Sequence, residues 1–287
     1  MSDPGPVGPL GPAHAPAAAV PTAVAPVPVG PARTPRDRAR WVAWASGAVL
    51  PLGLLLLWHA VSVAGVFSPV QLPAPGAVLE AGRGLWERGE LLQHLHISTQ
   101  RVLVGFAVGS TTGLLLGAAL GLSRTADRLV SPTVGALRAV PSLAWVPLLI
   151  LWLGIYEDSK ITLIAIGATF PVFTTVHQAL RHVDPQLVEA ARSFGLHGWR
   201  LLTTVQLPAV VPALFSGLRL ALAQSWLFLV AAELIASSQG LGFLLVESQN
   251  NGRTDRLLLA IVLLAVLGKA SDAVLGVVER WATRRWT

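Results

Sequence analysis

Charged side chains inside long apolar stretches are the residues whose chemistry stands out in this 287-residue sequence. An ionisable group in such a stretch is costly unless it is paired or faces water. We expect Arg219 and Asp272 to form a salt bridge between antiparallel helices, with Lys269 one helical turn from Asp272 and sharing it. Binding of an anionic solute by Arg219 or Lys269 is the alternative, and the bridge is favoured because Asp272 neutralises the site. Glu233 is predicted either to line a gate or to lie exposed at the membrane interface.

Uncharged polar side chains in the same stretches could line a route for an anionic solute. Hydroxyl, amide and indole N–H groups can hydrogen-bond an anion without holding it as firmly as a fixed charge pair would. The candidates for this translocation path are Ser142, Trp145, Gln224, Ser225 and Trp226. For each of them, a hydrogen bond between neighbouring helices is the alternative interpretation.

The sequence lacks the residue patterns of catalytic and metal chemistry. Cysteine is absent, which excludes thiolate metal sites and thiol nucleophiles. His94 and His96 do not belong to a His-Glu-x-x-His pattern, so an intramembrane metalloprotease is not expected. The tripeptide Gly268-Lys269-Ala270 lacks the hydroxyl residue and the upstream glycine of a phosphate-binding loop. We therefore expect no catalytic residues, no metal and no cofactor bound by this chain.

The composition places the polar residues in a membrane protein. Hydrophobic residues make up 53% of the chain, charged residues make up 13%, and the mean hydropathy is +0.61. An ordinary soluble domain carries roughly 25% charged residues. The basic residues behind the net charge of +6 flank apolar runs instead of forming a patch with interleaved aromatics, so membrane lipid, not nucleic acid, is the expected surrounding.

Six apolar runs reach the roughly 20 residues that a membrane-spanning helix needs. They lie at residues 41–66, 99–122, 134–155, 161–180, 209–236 and 257–278. We therefore predict an all-α polytopic membrane protein whose transmembrane permease domain covers residues 41–287. Residues 1–40 are rich in Pro and Ala and are expected to form a disordered cytoplasmic tail.

Lys and Arg indicate which ends of the spans face the cytoplasm. Basic residues are concentrated before the first span, between the second and third, between the fourth and fifth, and at the C-terminus. Cytoplasmic loops carry such an excess. The prediction is a multi-pass protein of the bacterial cell membrane with both termini inside.

Glycine and proline predict how the second and third spans pack. The second span repeats glycine every fourth residue, at Gly105, Gly109, Gly113, Gly117 and Gly121. This pattern removes side chains so that another helix backbone can approach, and we predict close packing against one neighbour or several in succession. Pro141 and Pro147 interrupt the third span, which predicts either a structural kink or a lining of the solute path.

The loop between the fourth and fifth spans is predicted to form a rigid elbow. Asp184, followed by proline, favours a helix start, and Gly195 favours its end in a left-handed conformation. One face of this helix carries Leu187, Ala191 and Phe194. A second short amphipathic stretch over residues 199–206 leads to a fifth span that begins with proline. Such an elbow could transmit force from a soluble partner to the membrane helices.

The elbow also resembles a known motif. The segments Glu189-Ala190-Ala191, Gly195 and Val205-Gln206-Leu207-Pro208 are similar to the EAA loop of ABC importer permeases. In that loop, EAA is followed by three free positions, Gly, nine free positions and Ile-x-Leu-Pro. Val205 replaces the usual Ile.

Residues 95–285 resemble the permeases of aliphatic sulfonate, nitrate and taurine importers. Matching segments include Ala144-Trp145-Val146-Pro147-Leu148, Ala191-Arg192-Ser193-Phe194-Gly195 and Leu267-Gly268-Lys269. The aliphatic sulfonate type is the most similar. The resemblance implies a type I ABC importer permease that moves a small anionic solute, with nitrate and taurine as alternative solutes.

The resemblance also implies partners. Two permease copies would form a homodimer, and two ATPase subunits carrying ATP and Mg would each receive the helix around Glu189–Gly195 in a groove. An extracytoplasmic solute-binding protein would deliver the solute. The residues expected to couple the permease to the ATPase are Glu189, Ala190, Ala191, Gly195, Leu207 and Pro208. An ion-coupled secondary transporter is the more distant alternative, but the acidic midplane ligands and related halves that it requires are not evident.

Overall fold

Every regular element that the structure describes is helical. The structure is a computed structural model that describes residues 36–284, with side chains from Val49 onward except that of Ala236. The helices are α1 (Arg36–Val63), α2 (Pro75–Glu87), α3 (Glu90–Leu122), α4 (Arg124–Ala139), α5 (Val146–Leu153), α6 (Glu157–Arg181), α7 (Pro185–Ser193), α8 (Gly198–Leu201), α9 (Leu207–Ala236), α10 (Leu241–Asn250) and α11 (Thr254–Thr283). A 3-10 helix (Ser142–Trp145) precedes α5, and a π-helical segment (Leu202–Gln206) joins α8 to α9.

The helix lengths confirm an all-α polytopic membrane protein. Among the described residues, α3, α6, α11 and the continuous stretch Gly198–Ile235 are each long and apolar enough to span a membrane. A fifth candidate is the pair formed by α4 and the segment Ser142–Leu153. The predicted first span lies in α1, of which the apolar part Val49–Val63 is described in full. α1 begins at Arg36, within the predicted tail, and the tail residues 1–35 lie outside the described part.

The predicted interruption of the third span at Pro141 is confirmed. α4 ends at Ala139, and the chain bends by 86° before it continues as Ser142–Leu153. The cause is Pro141, which has no N–H to donate and which forces the residue before it out of helical conformation. Val140 accordingly has φ −71° and ψ 124°. The proline therefore breaks the span completely.

The glycine repeat of α3 packs against a single neighbour, α6. A Cβ atom placed on Gly109 would lie 2.3 Å from the carbonyl oxygen of Ala165, and one on Gly113 would lie 2.4 Å from that of Thr169. Cβ atoms on the other three glycines would also meet α6. The one on Gly105 would meet Ile164, the one on Gly117 would meet Phe173 and Val176, and the one on Gly121 would meet Leu180. The prediction of close packing is confirmed, and one helix accounts for all five glycines.

α6 is the central helix because α9 packs closely on another of its faces. A Cβ on Gly167 of α6 would meet the ring of Phe228, and one on Gly217 of α9 would meet Thr175. The buried core joins all three helices through residues that include Val102, Ile164, Leu222 and Leu229. These contacts leave little room for α3, α6 and α9 to slide past one another.

Two short helices, α2 and α10, cover one end of this unit. They are too short to span a membrane, so the long apolar runs of the sequence do not predict them. Their buried side chains form a second core with α3 and α11, which includes Val78, Leu85, Leu244 and Leu259. The indole N–H of Trp58 donates to the Pro73 carbonyl at 3.0 Å and ties α1 to the segment before α2.

Replacing one glycine of the repeat tests the α3–α6 contact. Gly113→Ala is expected to lower the unfolding free energy by about 1–3 kcal/mol because its methyl group overlaps the Thr169 carbonyl. The measurement is the thermal transition of the purified protein in detergent. Gly135→Ala in α4 is the matched control, since nothing lies within 4 Å of its Cβ position. Equal transitions for the two variants would show that the contact is looser than described.

Candidate functional site

The elbow between α6 and α9 has the local structure that its sequence predicts. Asp184 Oδ1 accepts a hydrogen bond from the Gln186 N–H at 2.8 Å, which caps the start of α7. Gly195 has φ +80°, and the Leu196 N–H donates to the Ala191 carbonyl at 3.0 Å. A left-handed glycine and this backward hydrogen bond end the helix sharply. The start of α7 is therefore held by a side-chain cap and its end by a backbone hydrogen bond.

The elbow exposes large apolar side chains. Phe194 is 86% exposed, Trp199 is 75% exposed, and Leu187 is also exposed. Ala191 differs from the prediction, because it does not share this exposed face and is buried by its own chain. Glu189 and Ala190 are exposed, and the described residues provide Glu189 with no ion-pair partner. A soluble partner could therefore bury two aromatic rings and reach a free carboxylate.

The elbow connects to α9 without a break, which corrects the predicted proline start of the fifth span. The helix runs from Gly198 to Ile235, so Leu207 and Pro208 lie in its interior. The turn before Pro208 is π-helical, and the Leu207 N–H donates to the Leu202 carbonyl five residues back. Because Pro208 has no N–H, this wider turn relieves the missing hydrogen bond.

Arg219, Lys269 and Asp272 lie together between α9 and α11. The Arg219 guanidinium donates from Nε and Nη2 to the two Asp272 carboxylate oxygens at 2.9 and 2.8 Å. Lys269 Nζ lies 3.7 Å from Asp272 Oδ2, and its side chain is 82% exposed. Glu279 joins the cluster at 3.4 Å from Arg219 Nη1. It was missed because the predicted sixth span stops at residue 278.

The five candidates for the translocation path are in different environments. Ser225 is fully buried and donates to the Ala221 carbonyl at 2.9 Å. Trp226 donates from Nε1 to Ser271 Oγ at 2.9 Å, and both Trp226 and Trp145 pack on the central core. The Trp226 bond joins α9 to α11, as the alternative of a hydrogen bond between helices predicts, whereas the Ser225 bond lies within α9. Ser142 and Gln224 are partly exposed, and their place in a path stays a prediction.

A charged cluster, unforeseen from the sequence, lies at the end of the unit opposite the elbow, and all of its members except Glu157 are buried. We call Ser98, Arg101, Glu157, Lys160 and Glu233 the Arg101 cluster. Arg101 donates to both oxygens of Glu157 at 2.6 Å and to Glu233 Oε1 at 2.8 Å. Lys160 Nζ lies 3.0 Å from Glu157 Oε1. Two cations and two carboxylates thus balance one another.

Glu233 is 1% exposed, so its predicted exposure at the interface is wrong. Its carboxylate accepts from the Ser98 hydroxyl at 2.8 Å and from the Gly242 N–H at 2.7 Å. Gly240 has φ +116°, and a Cβ there would lie 2.3 Å from Glu233 Oε1. The loop before α10 therefore wraps around this carboxylate. An available signal was Arg101 itself, a cation near the start of the second predicted span for which the sequence analysis named no acidic partner.

Residues 109–284 match the family described as binding-protein-dependent transport system inner membrane component. The chain belongs to this family, and its class is that of an ABC importer permease. A methionine ABC transporter, MetNI, solved in inward-facing conformations, has a similar fold with a TM-score of 0.57 and 21% identity over 69% of this chain and 96% of that chain.

Relatives named for sulfonate transport are more similar in sequence. The aliphatic sulfonates transport permease SsuC of Escherichia coli (strain K12) is 41% identical over 86% of this chain and 94% of its own length. The protein of the same name from Bacillus subtilis (strain 168) is 38% identical over 83% and 86%. The taurine transport system permease TauC of Escherichia coli (strain K12) is 34% identical over 80% and 86%.

The Arg101 cluster predicts that the free energy of unfolding depends strongly on the balance of its charges. Arg101→Met leaves the Glu233 carboxylate buried without a cation, which should cost about 3–5 kcal/mol of unfolding free energy. The double variant Arg101→Met/Glu233→Leu removes both charges and should recover much of this loss. Thermal transitions in detergent measure both effects.

Arg83→Met is the matched control, because Arg83 pairs with Glu87 on an exposed helix surface. Its loss should change the unfolding free energy by less than about 1 kcal/mol. A double variant no more stable than Arg101→Met would contradict the charge-balance explanation.

Proposed function

We propose that this chain is the permease subunit of an ATP-driven importer of aliphatic sulfonates. Two copies pair in the bacterial inner membrane, two ATPase subunits bind their elbows, and an extracytoplasmic binding protein supplies the solute. Support for the solute comes from the two relatives named for aliphatic sulfonates transport. Because another relative is named for taurine transport, the second candidate solute is a sulfonate that also carries an amine.

The elbow is the observation that carries the ATP-driven mechanism. Its exposed Phe194 and Trp199 are the kind of aromatic anchors that dominate binding energy at protein interfaces. Glu189 can pair with a cation of the ATPase, and exposed Ala190 allows close approach. ATP and Mg bind to the ATPase subunits, and this chain receives their motion. Because the helix from Gly198 to Ile235 is continuous, a displaced elbow would move α9 directly.

The charge distribution supports a cytoplasmic elbow. Arginines without an ion-pair partner among the described residues are more numerous at the elbow end of the helices, where they include Arg124, Arg128, Arg192 and Arg200, than at the opposite end, where Arg256 is one. At the opposite end, Arg83, Arg88 and Arg253 each pair with an acid. An excess of positive charge marks the cytoplasmic side. Both termini then face the cytoplasm, as the sequence predicts.

The exposed ion pair between α9 and α11 supports a paired permease. Arg219 and Asp272 lie within spans, yet a substantial part of each side chain is uncovered by this chain. Charged groups at such a depth face protein or water, not lipid tails. A second copy, or the aqueous path between two copies, would cover them.

Removing the aromatic anchors tests the elbow. Phe194→Ala/Trp199→Ala is expected to weaken ATPase binding by at least about 30-fold, because a single hot-spot residue contributes about 2 kcal/mol or more. ATPase co-purification and uptake of radiolabelled ethanesulfonate are the measurements. Tyr156→Ala is the control, since Tyr156 is an exposed aromatic residue at the opposite end. Unchanged co-purification and uptake in the double variant would contradict coupling through the elbow.

The solute is tested in proteoliposomes that contain the permease, its ATPase and its binding protein. Uptake of ethanesulfonate should require ATP, stop with vanadate and continue after an ionophore collapses ion gradients. Taurine and nitrate are assayed in parallel. Preferential uptake of taurine would favour the second candidate, and vanadate-insensitive uptake that stops with the ionophore would instead indicate an ion-coupled transporter.

A further inference from the structure

Arg138 is a cation of the bundle whose charge the described residues leave unneutralised. Its Nη1 donates to the Thr174 hydroxyl at 3.1 Å, and no described carboxylate lies within ion-pair distance. Arg101, Lys160, Arg219 and Lys269 all lie beside carboxylates. The Arg138 side chain is exposed on the surface of this chain. Its charge is therefore available to something outside the chain.

The position of Thr174 places this charge inside the membrane. Thr169 is the middle residue of α6, and Thr174 lies five residues nearer the elbow, or about 8 Å along the helix axis. The hydrocarbon core extends about 15 Å on each side of its centre. A lone cation at this depth is too costly to face lipid tails, so it faces water or another protein surface.

Among the side chains that the structure describes, a second copy of this chain offers no spare carboxylate at that depth. Among the described residues, the acids outside ion pairs are Glu80, Asp158, Asp184, Glu189 and Glu247. Four of these lie outside the spans, and Asp158 occupies the first turn of α6, at the end far from Thr174. Pairing between copies therefore leaves the Arg138 charge uncompensated.

Arg138 also lies at the break in the third span. It belongs to the last turn of α4, directly before the 86° bend at Pro141. Interrupted helices inside membranes form solute sites where their irregular backbone lines a cavity. The partial negative charge at the end of α4 favours a cation there, but this effect is small compared with the cost of an unpaired charge in the membrane.

We propose that Arg138 binds the sulfonate group of the solute as it crosses the membrane, an assignment that rests on the proposed function. The guanidinium has five N–H donors in a planar fork. Thr174 accepts one of them and orients the group, which leaves donors for the sulfonate oxygens. Because the site is open and contains a single cation, it can also release the anion.

The test compares uptake of ethanesulfonate by the complete importer carrying Arg138→Gln, Arg138→Lys or Arg128→Gln. Arg138→Gln should raise KM at least about tenfold, because it removes charged hydrogen bonds. Arg138→Lys keeps the charge but loses the fork and should be intermediate. Arg128→Gln is the control, since Arg128 is an exposed arginine on the same helix without an ion-pair partner. Its KM should stay within about twofold of the original.

Thr174→Val separates solute binding from a structural role. If Arg138 only fastens α4 to α6, Thr174→Val and Arg138→Gln should lower the thermal transition and the uptake rate equally. The proposed role predicts unchanged thermal transitions, with a smaller KM increase for Thr174→Val. An unchanged KM for Arg138→Gln in an importer that takes up ethanesulfonate overturns the site and leaves the proposed function standing. A complete importer that takes up no ethanesulfonate overturns both.

Discussion

The contact between the α3 glycines and the α6 backbone is the constraint on which the rest of the structure depends. Lipid tails are as apolar as leucine, so membrane helices gain little from simple burial and associate through close packing and hydrogen bonds. At Gly109 and Gly113, the space for even a methyl group is occupied by α6 carbonyl oxygens. α9 packs on α6 through one glycine of each helix, Gly217 and Gly167. The three helices thus provide a rigid frame against which other segments can move.

Polar interactions divide this frame into two functional ends. At one end, the Arg101 cluster buries Arg101, Lys160 and Glu233, and Glu233 accepts the Gly242 N–H at the start of α10. At the other end, the elbow leaves its aromatic side chains and Glu189 uncovered. The charges of the Arg101 cluster are therefore paired within the chain, whereas the exposed groups of the elbow are available to a partner.

α4 differs from the helices of the frame because none of its residues is buried. Its polar contacts to α6 come from the Asp127 carboxylate, which lies 2.8 Å from His177 Nε2, and from Arg138 to Thr174. A segment held by side chains can shift more easily than one held by backbone contact. The break after α4 and the cation beside it therefore lie in a part of the permease suited to conformational change.

The sequence by itself determined the features that depend on neighbouring residues. Apolar run length indicated the long spans, the glycine period indicated a packing face, and Asp184 with Gly195 marked the ends of α7. The Arg219–Asp272 pair also followed, because antiparallel spans place the two residues at similar depths. Only the tertiary structure decided what Glu233 contacts, since Arg101 is 132 positions away and the loop that encloses the carboxylate has no apolar period. It also decided that Pro141 breaks a span while Pro208 does not. The backbone geometry around a proline determines whether the helix continues past it.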